Sequence, residues 1–70
     1  MHIGEKIRAE RLRQGLKQQE LAKDSNISSS FLSDMESGRT VPSIRSLAKI
    51  AKALKTDCQF FFEGVDILTE

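Results

Sequence analysis

Two short helical patterns joined by a very tight turn occupy residues 18–38, and they constrain the fold more than any other feature of the chain. Leu21 and Ala22 give the first pattern an apolar side, and the small side chain of Ala22 lets a second helix approach closely. Asn26 stands where this helix must end, because Asn adopts left-handed backbone more readily than other residues that have a side chain. The turn is too short for antiparallel packing, so the two helices are predicted to cross steeply.

The second pattern begins after Ser28, whose hydroxyl is suited to cap a helix, and it ends at Gly38. Ile27, Leu32 and Met35 recur at the spacing of one buried side. An ordinary helical hairpin is the alternative, for which longer helices and a looser loop are expected. The pattern is typical of a helix-turn-helix and therefore indicates DNA binding. Its polar side, predicted to face outward, consists of Ser29, Ser30, Ser33 and Asp34.

Three further helices are predicted, which makes the fold all-α, a compact five-helix bundle. The first covers residues 3–14, with Ile3, Ile7 and Arg11 on one side and Gly15 ending it. The fourth covers residues 44–54 after a cap at Ser43, and a fifth short helix covers residues 58–62. Residues 1–63 are expected to form one domain and residues 64–70 a short tail. The apolar positions of the fourth helix are Ile44, Leu47, Ile50, Ala51 and Leu54.

Composition excludes several classes of function. A chain of 70 residues has room for one small core and not for a deep pocket, so neither a cofactor nor a small-molecule ligand is expected. The single cysteine, Cys58, and the single histidine, His2, cannot supply the four ligands of a structural zinc site. No Gly-rich phosphate loop or carboxylate cluster occurs, so the chain is not predicted to be an enzyme. Without a long apolar run or a signal pattern, a cytoplasmic location away from membranes is expected.

The net charge of +1 conceals a strong polarity along the chain. Residues 1–56 hold all eleven Lys and Arg against six acidic residues, which gives +5, whereas the last fourteen residues carry −4. Such a distribution allows one end of the molecule to face phosphates while the acidic end stays away from them. A solvated helical surface with a chance asymmetry is the alternative.

Three blocks, at residues 15–22, 27–38 and 42–54, have the order and spacing of a known family. They begin with Gly-Leu-Lys-Gln-Gln-Glu-Leu-Ala, Ile-Ser and Pro-Ser. With them the chain resembles the lambda-repressor-like family, the Cro/cI-type (XRE-like) helix-turn-helix regulators that include phage repressors and restriction–modification controllers. The resemblance implies a sequence-specific transcriptional regulator that binds a palindromic operator in double-stranded DNA as a homodimer.

The resemblance also implies roles for individual residues. The outward side of the second motif helix, formed by Ser29, Ser30, Ser33 and Asp34, would enter the major groove. This departs from the commoner readout by Gln or Arg, because a serine hydroxyl pairs with either a donor or an acceptor and discriminates weakly. Asp34 would either accept from cytosine or orient Arg39. Arg8, Arg13 and Arg45 are weaker candidates for contact with the DNA backbone, since Lys and Arg are common on the surface of any soluble helical protein. The DNA backbone would be contacted by Gln18, Lys17, Arg39, Thr40 and Ser43.

Two further expectations concern packing and assembly. In similar proteins the pair equivalent to Arg11 and Glu36 forms an internal salt bridge, so both residues are assigned to structure. In the fifth helix, Cys58, Phe61 and Phe62 would close the core and Phe60 would fall on the opposite side. This apolar surface predicts a homodimer interface, and the alternative is that the tail folds back over its own domain. The predicted interface residues are Phe60, Val65, Ile67 and Leu68.

A protein-interaction module is the second function that the sequence allows. An antitoxin or an anti-repressor partner would use the same fold to bind another protein. Binding to duplex DNA that weakens steeply with salt would favour the regulator.

Overall fold

Four α-helices and one short 3₁₀ helix form the part of the chain that this computed structural model describes, residues 2–62 without the side chain of Phe62. No strand occurs in this range, so the all-α prediction is confirmed for it. None of these helices has the length and apolar character needed to span a bilayer. The helices are α1 (Ile3–Arg13), α2 (Gln18–Asp24), α3 (Ser29–Ser37), α4 (Ile44–Ala53) and the 3₁₀ helix (Cys58–Phe62).

The prediction of a fifth α-helix was wrong, because the segment after α4 is a 3₁₀ helix. With five residues, it forms too few i→i+4 hydrogen bonds to offset the unfavourable nucleation of an α-helix. Segments of this length commonly form 3₁₀ helices. The backbone N–H of Phe60 donates to the carbonyl of Asp57 over 3.2 Å. Phe61 is fully buried and closes the core, as the sequence predicts.

The helices enclose one apolar core, and α4 illustrates which residues of a helix are buried in it. Leu47, Ile50 and Ala51 are buried, as predicted, but Ile44 is 68% exposed and Ser46 is buried instead. On an ideal helix Ile44 lies about 90° from the centre of this buried face, so it falls at the edge of the stripe, in the first turn. The core consists of Ile7, Leu21, Ala22, Leu32, Met35, Leu47, Ile50, Ala51, Leu54 and Phe61.

The turn between α2 and α3 has the backbone that its residues predict. Asn26 has a φ of 58°, and the N–H of Ile27 donates to the carbonyl of Ala22 over 3.0 Å, which closes α2. The hydroxyl of Ser28 accepts from the N–H of Phe31 over 3.0 Å, and this caps the start of α3. Gly38, with a φ of 86°, ends α3. These local choices end α2 and begin α3 within a short turn.

A polar cluster joins the end of α1 to the end of α4. Glu10 is 9% exposed and accepts from both Arg13 and Gln14, and the amide of Gln14 also donates to the carbonyl of Leu54 over 2.9 Å. The hydrogen bond from Arg13 is the main cause that lowers the pKa of Glu10 to about 2. Arg13 itself is 69% exposed at its side chain, so solvent weakens the attraction.

This cluster predicts a dependence of stability on acid. Because the folded pKa of Glu10 lies below its value in the unfolded chain, the stabilisation is complete above about pH 4.5 and is lost as the pH falls towards 2. We expect Glu10→Gln to lower the free energy of unfolding by about 1 kcal/mol at pH 7 and by much less near pH 2.5. Urea denaturation of both proteins at several pH values measures this. A difference that does not vary with pH would contradict it.

Candidate nucleic-acid interface

The outward side of α3 is polar and open to solvent. Ser29, Ser30 and Ser33 are exposed and Asp34 is half-buried, whereas Leu32 and Met35 on the other side are fully buried. The structure therefore brings together the four residues that the sequence predicts for base readout on one accessible side of a short helix. Their hydroxyls and carboxylate offer both donors and acceptors for hydrogen bonds.

A buried salt bridge fixes α3 to α1. The Nε of Arg11 donates to Oε2 of Glu36 over 2.8 Å, and its Nη2 donates to Oε1 over 3.0 Å. The third guanidinium nitrogen, Nη1, donates to the carbonyl of Leu16 over 2.8 Å. The two side chains are only 8% and 3% exposed. A bidentate geometry with a planar guanidinium sets the rotation of α3 about its own axis as well as its distance from α1.

Gln18, the first residue of α2, joins the same cluster. Its Nε2 donates to Oε1 of Glu36 over 3.1 Å, so one carboxylate accepts from both α1 and α2. This contact braces α3, whereas the predicted contact of Gln18 with the DNA backbone stays a prediction. The neighbouring Lys17 is exposed, and its backbone N–H donates to the carboxylate of Glu20 over 2.8 Å.

The loop after α3 carries the other predicted backbone contacts. Nη1 of Arg39 lies 3.7 Å from Oδ1 of Asp34, and their side chains are 79% and 46% exposed. Such a surface pair contributes about 0–1 kcal/mol, so Arg39 leaves it at little cost. The N–H groups of Arg39 and Thr40 both donate to the carbonyl of Asp34, over 2.9 and 3.4 Å, which leaves the Thr40 hydroxyl as its available donor.

Ser43 caps α4, as the sequence predicts, and its contact with the DNA backbone stays a prediction. Its hydroxyl accepts from the N–H of Ser46 over 3.1 Å and lies 3.1 Å from the Ser46 hydroxyl, to which it donates. Capping of α4 therefore engages the hydroxyl that the sequence assigns to a phosphate. What remains for an anion at this position are the backbone N–H groups of the first turn of α4.

The predicted dimer residues are only partly described. Phe60 is half-buried and packs against the core, so the expectation that it lies on the opposite side was wrong. Its ring meets that of Phe61 edge-on, with 5.4 Å between centroids, and the amino group of Lys6 lies 4.4 Å from its centroid. Within the tight 3₁₀ turn, neighbouring rings stay close to α1 and α4. The other three residues, Val65, Ile67 and Leu68, lie outside the described residues, as does the tail at 64–70.

The sequence of this chain is similar to those of known helix-turn-helix proteins. A family model described as "Helix-turn-helix" matches residues 7–61, and this range contains α2, α3 and the salt bridge between α1 and α3. The chain belongs to this helix-turn-helix family. The resemblance to lambda-repressor-like regulators that the three sequence blocks indicate is thereby confirmed.

Relatives within the helix-turn-helix family include phage and bacterial proteins. The chain is 40% identical over 55 residues to the ImmF control region 10 kDa protein of Bacillus phage phi105, covering 79% of this chain and 61% of that protein. It is 35% identical over 66 residues to the HTH-type transcriptional regulator DdrOP3 of Deinococcus deserti, covering 94% and 51%. The chain thus spans between about half and three fifths of the length of these relatives.

Solved structures of similar fold include a repressor bound to DNA. The P22 c2 repressor in complex with the synthetic operator 9T matches with a TM-score of 0.83 and 30% identity, over 91% of this chain and 97% of that one. A chain of the SinR protein/SinI protein complex matches with a TM-score of 0.83 and 28% identity, over 89% of this chain and 61% of that one.

Proposed function

We propose that this chain is a transcriptional regulator, without enzymatic activity, that binds a palindromic operator in double-stranded DNA as a homodimer. The observation that carries the proposal is the polar, solvent-exposed side of α3, held by the buried cluster of Arg11, Glu36 and Gln18. A helix with an exposed polar side and a buried, hydrogen-bonded opposite side fits the major groove. The similarity to a repressor described in complex with its operator supports the same function.

In this proposal the base edges are read by the outward side of α3. Ser29, Ser30 and Ser33 supply hydroxyls that pair with donors or acceptors, and Asp34 accepts from the amino group of cytosine or holds Arg39 in place. Because hydroxyls discriminate weakly, part of the specificity comes from the shape of the DNA. Phosphates are bound on either side of this helix by Gln18, Lys17, Arg39, Thr40 and the start of α4 at Ser43.

A homodimer is proposed because the polar side of one α3 helix is too small to make many base contacts. A single domain with four short polar side chains offers few base contacts, and a second copy doubles them. A two-fold axis would place the two α3 helices roughly 34 Å apart, one turn of the duplex. We assign the interface to the C-terminal segment, with Val65, Ile67 and Leu68, and with the exposed edge of Phe60.

Selection of bound duplexes from a random pool tests this function, followed by measurement of affinity against salt for the selected and an unselected duplex. We expect a sequence with two inverted half-sites and a log–log slope of about −0.9 for each phosphate that the protein neutralises. Analytical ultracentrifugation of the complex would show two chains on each duplex. Failure to enrich any sequence, together with the absence of duplex binding at low salt, would overturn the proposal.

A protein-interaction module remains the second candidate because of one comparison. One of the similar chains belongs to a structure described as the SinR protein/SinI protein complex. If this chain acts by binding another protein, its affinity for that partner should change little with salt concentration, and the chain should not bind duplex DNA. The salt series above therefore separates the two candidates.

Arg39→Ala should weaken binding to every duplex alike. The homodimer loses one phosphate contact in each half-site, so the affinity should fall about 30-fold at 0.15 M salt and the salt slope should become shallower by about 1.8. Ser30→Ala is the matched comparison on the reading side of α3, and it should change which bases are preferred with a modest loss of affinity. If Arg39→Ala changed the preference at one base pair only, its assignment to the DNA backbone would be wrong.

A further inference from the structure

An open groove of about 260 Å³ runs between α1 and α3 beside the side of α3 that we assign to DNA. Two of its lining residues, Gln18 and Ser33, already belong to the proposed DNA-binding surface. The groove therefore extends that surface towards α1 and is not a separate site. Its lining residues are Arg8, Gln18, Ser33, Glu36 and Ser37.

The charge of the groove is set by Arg8. The only carboxylate in its lining is that of Glu36, which the bidentate contact with Arg11 neutralises. Arg8 is exposed and makes no ion pair or hydrogen bond within residues 2–62. Of the other lining groups, the amide of Gln18 and the hydroxyl of Ser33 can donate hydrogen bonds. The hydroxyl of Ser37 already donates to the carbonyl of Asp34 over 3.2 Å. A singly charged group with acceptor oxygens only, such as a phosphodiester, matches this set.

The groove and Arg39 lie on different sides of α3. Successive residues of a helix are rotated by about 100°, so Asp34 is turned by that angle from Ser33. Ser33 and Glu36 line the groove, whereas Asp34 pairs with Arg39. A helix in the major groove has one phosphate strand on each side of it. Arg8 and Arg39 are therefore arranged to contact opposite strands.

We infer that Arg8 binds a backbone phosphate of the operator in the groove between α1 and α3, on the strand opposite the one that Arg39 contacts. The inference rests on the proposed function, since it assigns a further residue to the same DNA surface. The buried salt bridge of Arg11 and Glu36 then has two effects. It fixes α3 to α1, and it neutralises the carboxylate that would otherwise repel a phosphate in the groove.

Binding of the full chain to its selected duplex tests this inference through Arg8→Ala, Arg8→Lys and, as an exposed control at the far end of α4, Lys52→Ala. Because the homodimer carries two copies of the residue, Arg8→Ala should lower the affinity about 30-fold at 0.15 M salt and make the slope shallower by about 1.8. Arg8→Lys should keep the slope of the unmodified protein, because the charge remains. Lys52→Ala should change neither quantity. Circular dichroism and thermal melting should show all three variants folded, because both positions are exposed.

Phosphate mapping decides which strand is contacted. In duplexes with single methylphosphonate substitutions, the unmodified protein should lose affinity at positions on both strands that flank α3. Within one half-site, Arg8→Ala should become insensitive to substitution on one strand, and Arg39→Ala to substitution on the other. If the unmodified protein binds the duplex but Arg8→Ala keeps its affinity, slope and map, the role of Arg8 is overturned while the proposed function stands. If the unmodified protein binds no duplex, the proposed function itself has failed.

Discussion

Glu36→Ala should remove most of the stability of the folded protein at room temperature. The substitution leaves the guanidinium of Arg11, 8% exposed, with only the carbonyl of Leu16 as a partner, and it removes the acceptor of Gln18. Breaking a buried ion pair from one side costs about 3–5 kcal/mol. A domain of this size has a total stability of only about 5 kcal/mol, so the remaining margin is small. DNA binding should be lost together with the fold.

Circular dichroism and urea denaturation measure this effect, and a double variant gives the control. Replacement of both partners, Arg11→Met with Glu36→Leu, removes the uncompensated charge and fills the space with apolar atoms, so much of the lost stability should return. A Glu36→Ala protein that melts within about 2 °C of the unmodified chain, yet fails to bind DNA, would mean that Glu36 acts in binding and not in folding.

The local parts of the motif could be predicted from the sequence because single residues determine them. Asn26 adopts the left-handed backbone, Ser28 caps α3 and Gly38 ends it, as their side chains require. The same holds for the outward serines of α3, since Leu32 and Met35 fix which side of the helix is buried. The salt bridge of Arg11 and Glu36 was implied only by the family resemblance.

Contacts between distant segments could not be predicted in the same way. The periodic pattern includes Ile44 in the apolar stripe of α4, but which edge of the stripe is covered depends on how α2 and α4 cross. Phe60 was assigned to the surface because an α-helical period was assumed for a segment that forms a 3₁₀ helix. The cap that Ser43 forms could be predicted, but the hydrogen bond that its hydroxyl donates to Ser46 could not, because the pattern gives no reason to expect Ser46 inside. The role that we infer for Arg8 depends on residues of other helices that line the same groove, so the sequence pattern alone does not predict it.

Gly4 gives the second large effect, and it shows how closely α1 must approach α3. A Cβ atom at this position would lie 1.9 Å from the carbonyl oxygen of Met35, where an ordinary contact needs at least 3.4 Å. The obstacle is backbone at the end of the helix that we assign to DNA, so no flexible side chain can yield. The two helices would have to separate, and the hydrogen bonds between Arg11 and Glu36 would lengthen with them.

Gly4→Ala should therefore lower the free energy of unfolding by about 3 kcal/mol, which for a domain of this size is a fall in melting temperature of roughly 12–24 °C. In an exposed helix the same substitution stabilises the protein by up to about 1 kcal/mol. A loss of stability therefore indicates that α1 packs closely against α3 at Gly4, and a gain indicates that it does not.

Gly15→Ala is the matched control, because Gly15 has a φ of 74° but no atom within 4 Å of an added Cβ. Its cost should be about 1–2 kcal/mol and come from backbone strain alone. At a temperature where both variants are folded, only Gly4→Ala should also bind DNA more weakly, since only that substitution displaces α3. Equal DNA affinity in the two variants would mean that the spacing of α1 and α3 does not control the position of the reading surface.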